Sequence, residues 1–155
     1  MADRYFRRGT SKFYAATVAP VAFAAVTSAE VAAALALSDE TADWDGFTIE
    51  NASIETPDLG HTFVSSIPGS DTPGTPTFTI YELLGTQTIW DALAKGTKLW
   101  ILYLPEGNAT GYPTEVWPVR IGKRARNTNN GQEAATFDVS MAVIAEPNTD
   151  GARAA

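Results

Sequence analysis

Short runs of alternating apolar and polar residues, separated by turns rich in proline and glycine, recur along most of the chain. The stretch "IETPDLGHTFVSSIPG", Ile54 to Gly69, shows this most clearly, since two alternating runs are joined by Pro-Asp-Leu-Gly and closed by Pro-Gly. Alternation with a period of two residues predicts half-buried β-strands, and turns of this kind predict hairpins. The pattern therefore restricts the chain to a mainly β fold.

Further strands are predicted on both sides of this hairpin. They are "KFYAATVAPV", "GFTIENASIET", "TFTIYELL", "KLWILYLP", "TEVWPVRIGKRAR" and "EAATFDVSMAVIAEP". The segment "KLWILYLP" is apolar on both faces, as a central strand would be. Apolar positions shift phase near Asn51, which predicts a β-bulge there. The segment "SDTPGTP", Ser70 to Pro76, contains two prolines and is predicted to be a loop.

Two short helices complete the prediction. Thr27 and Glu30 stand three residues apart, as in a capping box, before the run "VAAALAL". A second helix is expected in "TQTIWDALAKG", capped by Thr86 or Thr88 and ended by Gly96. About six or seven strands with one or two short flanking α-helices predict an antiparallel β-sandwich or barrel.

The length of 155 residues predicts a single domain. We expect an N-terminal arm over 1–12, a β-sandwich domain over 13–147 and a flexible tail over 148–155. The segment "MADRYFRRGTSKF" is charged where a signal peptide needs an apolar core, and no apolar run is long enough to span a bilayer. We therefore expect a protein that starts inside a cell, without a membrane partner.

Charge is unevenly distributed along the chain, whose net charge is −7. The segment from Phe13 to Ala94 contains acidic residues but no lysine or arginine. Basic residues gather in the arm and in a second segment: Arg4, Arg7, Arg8 and Lys12, then Lys95, Lys98, Arg120, Lys123, Arg124 and Arg126. This segregation suits head-to-tail association between copies, and its alternative is ordinary solvated surface charge.

The residues needed for catalysis or metal binding are scarce. The chain has no cysteine and one histidine, His61, which excludes thiolate chemistry and a two-histidine metal site. A triad of His61 with Asp58 and Ser65 or Ser66 is disfavoured because alternating strand positions do not converge. The acids between 39 and 45 lack the spacing of a calcium-binding loop. We expect no enzyme, no metal and no cofactor.

Specific binding of nucleic acid is disfavoured as well. The cluster "KRAR", Lys123 to Arg126, is basic, but a specific duplex binder presents a larger positive face because each phosphate contact needs a cation. An acidic chain with one small basic cluster lacks that face. Any DNA that this protein meets is expected to pass without being gripped.

The order of several segments resembles the major tail tube proteins of long, non-contractile-tailed bacteriophages. These segments are "RRGTSKFY", "WDGFTIENASIETPDLGHTFVSSIPG", "VWPVRIG" and "AVIAEP". The resemblance covers about Arg7 to Pro147, and its most specific pieces are Phe47 to Gly69 and Val116 to Gly122. It implies hexameric rings stacked around a channel for genomic DNA, in which each subunit lends about four strands to a continuous barrel.

The resemblance implies that "GFTIENASIET" and "HTFVSSIPG" are strands of that barrel. About 24 strands, spaced about 4.8 Å apart and tilted about 40°, close to a backbone diameter near 48 Å, which leaves room for duplex DNA. Polar faces that include Glu50, Ser53, Glu55 and Asp138 are expected to help line an acidic lumen. Acidic side chains would not bind the phosphates of passing DNA.

The arm and the segment Ser70 to Pro76 are the expected ring-to-ring contacts, with Arg7, Arg8, Asp71 and Thr72 as candidate residues. The implied partners are copies of the chain itself, a tape measure protein, a tail tip and a tail terminator. The implied location is the virion, assembled in the host cytoplasm. Two alternatives stay open: a single-ring terminator or head-tail connector of similar fold, and a monomeric β-sandwich binding module.

Overall fold

The computed structural model describes residues 3–128 and 131–155. Its elements are β1 (Lys12–Ala16), α1 (Ser28–Ala33), β2 (Leu35–Ala36), β3 (Thr41–Asp45), β4 (Ile49–Thr56), β5 (Ser65–Pro73), β6 (Thr77–Tyr81), α2 (Thr88–Ala92), β7 (Lys98–Leu104), β8 (Pro113–Arg126), β9 (Thr136–Val143) and β10 (Asn148–Ala152). The predicted mainly antiparallel β fold with two short helices is confirmed. The segment "NTNNG", residues 127–131, is predicted from its sequence to be a turn between two strands, and it lies partly outside the described residues.

One curled sheet forms the body of the molecule, in the order β2-β1-β7-β8-β9-β6-β3, with β10 beside β8. Phe13 in β1 lies near the far end of this sheet, because its ring centroid is 5.0 Å from that of Phe78 in β6 and 5.3 Å from that of Trp44 in β3. The sheet therefore rolls around its own apolar face into an open barrel.

The main core fills the inside of this roll. It contains buried side chains from nearly every strand of the sheet, among them Phe13, Phe78, Ile101, Trp117, Phe137 and Val139. A smaller cluster lies on the outside of β7 and β8, where Leu102, Leu104 and Val116 pack against Val31 of α1. Burying apolar side chains on both faces explains why "KLWILYLP" is apolar throughout.

The predicted capping box of α1 is confirmed. The side chain of Thr27 accepts a hydrogen bond from the backbone N–H of Glu30 at 3.3 Å, and the Glu30 carboxylate accepts one from the backbone N–H of Thr27 at 2.8 Å. The bond from the backbone N–H of Thr27 contributes most to lowering the pKa of the Glu30 carboxyl, and a bond from the N–H of Val21 adds to it. Thr27 and Glu30 thus fix the start of the helix that covers the second core.

A register shift occurs near Asn51, as predicted, but its extra residue lies on the partner strand. Asn51 pairs with Asp71 and Ser53 with Pro68, so Gly69 and Ser70 together lie opposite Ala52. A Cβ on Gly69 would lie 2.4 Å from the carbonyl oxygen of Ala52, which explains the glycine. The predicted phase shift within β4 is wrong, because β4 has no core against which Ile49 and Ile54 must both pack.

The segment "SDTPGTP" is not wholly a loop, since β5 continues through Ser70 to Pro73. Proline is tolerated at the end of this strand because β5 has a partner on one side only, β4. The same hairpin begins its second strand later than predicted, at Ser65, so the four residues "HTFV" belong to its connecting loop.

Three other local predictions are wrong. Strand β1 ends at Ala16, before Pro20. Helix α2 begins after Gln87, and neither Thr86 nor Thr88 caps it. The segment 148–155 is not loose, because Asn148–Ala152 form β10 on the edge of β8 that β9 leaves free. The backbone N–H of Ala154 also donates to the carbonyl of Val26 at 2.8 Å.

Gly46, between β3 and β4, allows a stability test of the junction. Its φ is +81°, and a Cβ there would lie 1.9 Å from the carbonyl oxygen of Thr75. Gly85 has a similar φ of +76° but no atom within 4 Å of such a Cβ. We expect Gly85→Ala to cost about 1 kcal/mol, from backbone strain alone, and Gly46→Ala to cost at least about twice as much. Urea unfolding of both variants measures the difference, and equal losses would contradict the expected clash.

Candidate functional site: assembly surfaces

Four neighbouring strands leave one side of the curled sheet uncovered. They are the C-terminal half of β8, then β9, β6 and β3. Because side chains alternate, the partners of the buried residues Phe78 and Val139 point away from the core. We call this side the open face; its residues are Asp43, Asp45, Thr77, Thr79, Lys123, Ala125, Thr136, Asp138 and Ser140, all exposed or half-buried.

The open face is polar and mainly acidic. It has three aspartates and one lysine, Lys123. Asp138 accepts a hydrogen bond from the hydroxyl of Thr79 at 2.9 Å, a cross-strand contact between β9 and β6. The carboxylates of Asp43 and Asp45 accept bonds from the backbone N–H of the next residue, at 2.9 and 2.8 Å. Such a face is suited to water or a polyanion passing by, not to a buried contact.

Of these aspartates, sequence reasoning selected Asp138 alone. Asp43 and Asp45 entered the sequence analysis only among the acids that lack the spacing of a calcium-binding loop, whereas they belong to β3 and share the open face with Asp138. The available signal was the alternation around Trp44 in "TADWD", with one aspartate on either side of an aromatic residue that packs on the core.

The hairpin of β4 and β5 forms a second surface. It is a separate two-stranded sheet whose residues are nearly all exposed. Ile54 and Ile67 lie opposite each other, 53% and 52% exposed, and Phe63 in the connecting loop is 79% exposed. The segment 49–73 has four acidic residues and no lysine or arginine. Exposed apolar side chains on an acidic hairpin are typical of a surface that contacts another protein.

The four candidate lumen residues do not form one cluster. Asp138 lies on the open face of the main sheet, and the other three lie on the hairpin. Since the extra residue at the bulge is on β5, β4 keeps its alternation, and Glu50 points to the side opposite Ser53 and Glu55.

The four candidate contact residues also fall in two places. In the arm, the Arg7 guanidinium donates to the hydroxyl of Tyr103, and Arg8 donates to the carbonyl of Ala42 at 3.2 Å. On the hairpin, Asp71 accepts a bond from the side chain of Asn51 at 2.5 Å, and Thr72 pairs with Glu50. The arm therefore contacts β3 and β7, whereas Asp71 and Thr72 pair with β4 in the hairpin.

The basic cluster near the end of β8 is held by an aromatic residue. The guanidinium groups of Arg124 and Arg126 lie 4.0 and 3.8 Å from the ring centroid of Trp90 in α2. Arg126 also forms an ion pair with Glu82 at 2.5 Å, and Arg124 donates to the carbonyl oxygen of Trp90. Cation–π contacts of this kind fix the direction of both arginines on the core side of β8.

His61 pairs with a carboxylate on the exposed hairpin loop. Its ring nitrogen lies 2.9 Å from Asp58, and this contact is the main cause that lowers the pKa of Asp58. Ser65 is engaged elsewhere, with the hydroxyl of Thr56 at 2.8 Å. Within 3–128 and 131–155, no group of three or more histidine, aspartate or glutamate side chains could hold a metal, and no helix is long and apolar enough to cross a membrane.

Comparison with known protein families identifies the family of this chain. The family described as "Phage tail tube protein" matches residues 1–155. The chain belongs to this family. Membership makes it a structural component of a phage tail, and not an enzyme. A search of curated proteins finds no match.

Solved structures show the same fold at low sequence identity. The sheath/tube terminator of the extracellular contractile injection system PVC, in its extended state, aligns with a TM-score of 0.65 at 8% identity, covering 96% of this chain and 99% of that one. The cap that terminates the tube of the anti-feeding prophage gives 0.59 at 12%, covering 96% and 95%. A chain of the PVC sheath-tube complex gives 0.55 at 11%, covering 89% and 88%.

Glu115 in β8, a half-buried carboxyl near Arg7 of the arm, provides a pH-dependent test of stability. Burial raises the pKa of this half-buried carboxyl, nearby Arg7 opposes the rise, and Asp150 adds to it. A raised pKa means that Glu115 favours the folded state at low pH and that this contribution is lost as pH rises through the folded pKa. Glu115→Gln should therefore raise Tm at pH 8 by about 1–2 °C and give no gain at pH 3.5. An equal gain in Tm at both pH values would contradict the raised pKa of Glu115.

Shortening the hairpin separates its role from folding. Neither β4 nor β5 contributes a side chain to the buried clusters. Replacing Pro57–Val64 by Asn-Gly, which forms a two-residue turn, should leave Tm within about 2 °C of the original value. Thermal unfolding monitored by circular dichroism measures this, and a large loss would show that the loop supports the core.

Proposed function

We propose that this tail tube family member polymerises as stacked hexameric rings, forming the tube of a long, non-contractile tail through which genomic DNA is ejected. The observation that supports this most is the open face: an exposed, polar surface spread over four adjacent strands of an otherwise well-covered sheet. An antiparallel sheet can keep one polar face in water, and this one extends without interruption to two sheet edges. In a ring it lines the channel.

The charge of the open face suits passage of DNA. Asp43, Asp45 and Asp138 present carboxylates that repel phosphates, so a duplex gains no counterion release from the wall. On the hairpin, Glu50 lies on one side and Ser53 and Glu55 on the other, so one of these two sets faces the channel if the hairpin extends the wall. The lumen then carries Asp138 with that set.

Contacts between successive rings fall to surfaces beyond the four strands of the open face. We assign them to the arm, with Arg7 and Arg8, and to the hairpin, with Asp71, Thr72 and its exposed apolar residues. Basic and acidic surfaces on the same chain favour head-to-tail stacking. The further partners of the proposal are a tape measure protein, a tail tip and a terminator, with assembly in the host cytoplasm.

A single-ring terminator is the second candidate. Two solved structures with this fold are described as a sheath/tube terminator and as a tube-terminating cap, with TM-scores of 0.65 and 0.59. A terminator would form one ring and stop, whereas a tube subunit would add ring upon ring.

Electron microscopy of the purified chain, with size-exclusion chromatography at several concentrations, separates these candidates. We expect rings or tubes with an open channel, formed spontaneously or after addition of isolated tail tips. Single rings that never stack would favour the terminator. Monomers that persist at high concentration and with tail tips present would overturn both.

Charge reversal in the arm tests the ring-to-ring contact. We expect Arg8→Glu to reduce tube length by at least about threefold, since a weak rim contact is repeated in every ring. Its bond to Ala42 is exposed, so folding should be little affected. Lys95→Glu carries the same charge change at another exposed site and is the matched control. Tube lengths that respond equally to both substitutions would contradict the assignment.

A further inference from the structure

The wall of four strands ends at two unpaired edges. One edge is β3, which pairs with β6 on its inner side. The backbone N–H of Tyr81 donates to the carbonyl of Glu40, and alternation along β6 then makes Thr79 and Thr77 the next hydrogen-bonded positions of this ladder. The register shifts between Thr41 and Asp43, so the residues opposite them are Asp43 and Asp45. Asp43 and Asp45 therefore direct their peptide groups toward β6, and Trp44 directs its own outward.

No strand pairs with the outer side of β3 in the part of the chain that the structure describes. Side chains take that place. Arg8 donates to the carbonyl of Ala42 at 3.2 Å, and the carboxylate of Asp43 accepts the N–H of Trp44 at 2.9 Å. Both bonds are exposed, so another strand could replace them at little cost.

The second edge belongs to the C-terminal half of β8. Strand β7 stops pairing with β8 at Arg120, and the last backbone bonds on that side join Ile121 to Gly96 and Thr97. On the other side, the N–H of Asn127 donates to the carbonyl of Thr136 at 3.0 Å. Alternation then turns the peptide groups of Arg124 and Arg126 to the outer side, where no described strand pairs with them.

The direction of the strands makes these two edges compatible. β8, β9, β6 and β3 are antiparallel at each step, so β3 runs opposite to β8. A rotation about an axis near the strand direction leaves the direction of β8 unchanged in the next copy. The β8 edge of that copy is therefore antiparallel to β3, and the ladder continues without a change of type.

The charges at the two edges are opposite. The β3 edge presents Asp43 and Asp45 on the open face, and the β8 edge presents Lys123 there, with Arg124 and Arg126 on the core side. Two groups reduce the contrast: Arg8 lies on β3, and Glu82 neutralises Arg126. Lys123 has neither an ion pair nor a hydrogen bond to a described residue, whereas the aspartates bind only local backbone N–H groups.

We propose that β3 of one copy pairs with the C-terminal half of β8 of the next, and that Lys123 of one copy meets Asp45 of the other across this seam. When Trp44 is placed opposite Arg124, the antiparallel register brings Asp45 opposite Lys123 on the open face. This inference rests on the proposed ring assembly and identifies the surfaces that close it. Arg8 and Asp43 cover the β3 edge until the neighbouring strand replaces them, which frees Arg8 for the proposed contact with the next ring.

Engineered disulfides test the seam directly, because the natural chain has no cysteine. Within one copy, residues 45 and 123 lie on outer strands of a four-strand wall, about 14 Å apart at about 4.8 Å per strand, too far for a disulfide. Any bond between them is intermolecular. The double variant Asp45→Cys with Lys123→Cys should give, under mild oxidation, a ladder of covalent oligomers that ends at the ring size.

The two single-cysteine variants are the controls and should stay almost wholly monomeric in denaturing gels. Rings of the unmodified chain, without cross-linking of the double variant, would overturn the seam and leave the proposed function intact. A complete ladder without tubes, even after addition of isolated tail tips, would support the seam and reject the tube. Absence of both rings and cross-links would reject both proposals.

Charge exchange supplies an independent readout. Lys123→Glu should lower the yield of rings at least tenfold, and so should Asp43→Lys with Asp45→Lys. Combining all three substitutions should restore at least half of the yield, because the pair is reversed and not removed. Lys95→Glu is the control, and circular dichroism confirms folding of each variant. A triple variant as defective as the single reversal would overturn the proposed contact.

Discussion

The structure depends on the unequal length of two paired strands. β7 has seven residues and β8 has fourteen, so β7 covers only the first half of its neighbour. The second half of β8 extends past the end of β7, and its extra residue Gly122 shifts the register against β9. Because β9, β6 and β3 follow that half, the polar wall and its two edges all arise from this overhang.

Local signals in the sequence were sufficient for much of the fold. The capping box of Thr27 and Glu30 is complete within four residues, and the apolar run of β7 reports burial on both faces, so both predictions are confirmed. The run "EAATFDVSMAVIAEP" was predicted to be a strand, and its alternation matches the structure, where Phe137, Val139 and Met141 lie on the core side of β9. Each of these features is decided by neighbours in sequence or by one side of one strand.

The errors share one cause, which is that the partner strand is not visible in the sequence. The bulge was located correctly, but the side carrying the extra residue depends on pairing with β5. β10 forms because β8 has a vacant edge at Val116, and nothing in "NTDGARAA" reveals that vacancy. For the same reason Asp138 was placed near the wall while Asp43 and Asp45 were missed. Strand order, known only from the fold, brings all three together.

The four-strand wall also limits how such a tube could change its bore. With an even number of antiparallel strands in each copy, a ring of any copy number closes without a parallel mismatch, so strand pairing does not fix the number of subunits in the ring. That number is set by the angle between the four-strand sheets of adjacent copies. Adding or losing one copy would change the barrel diameter in a fixed step of about 8 Å, for strands spaced about 4.8 Å apart and tilted about 40°. Intermediate widths are not available.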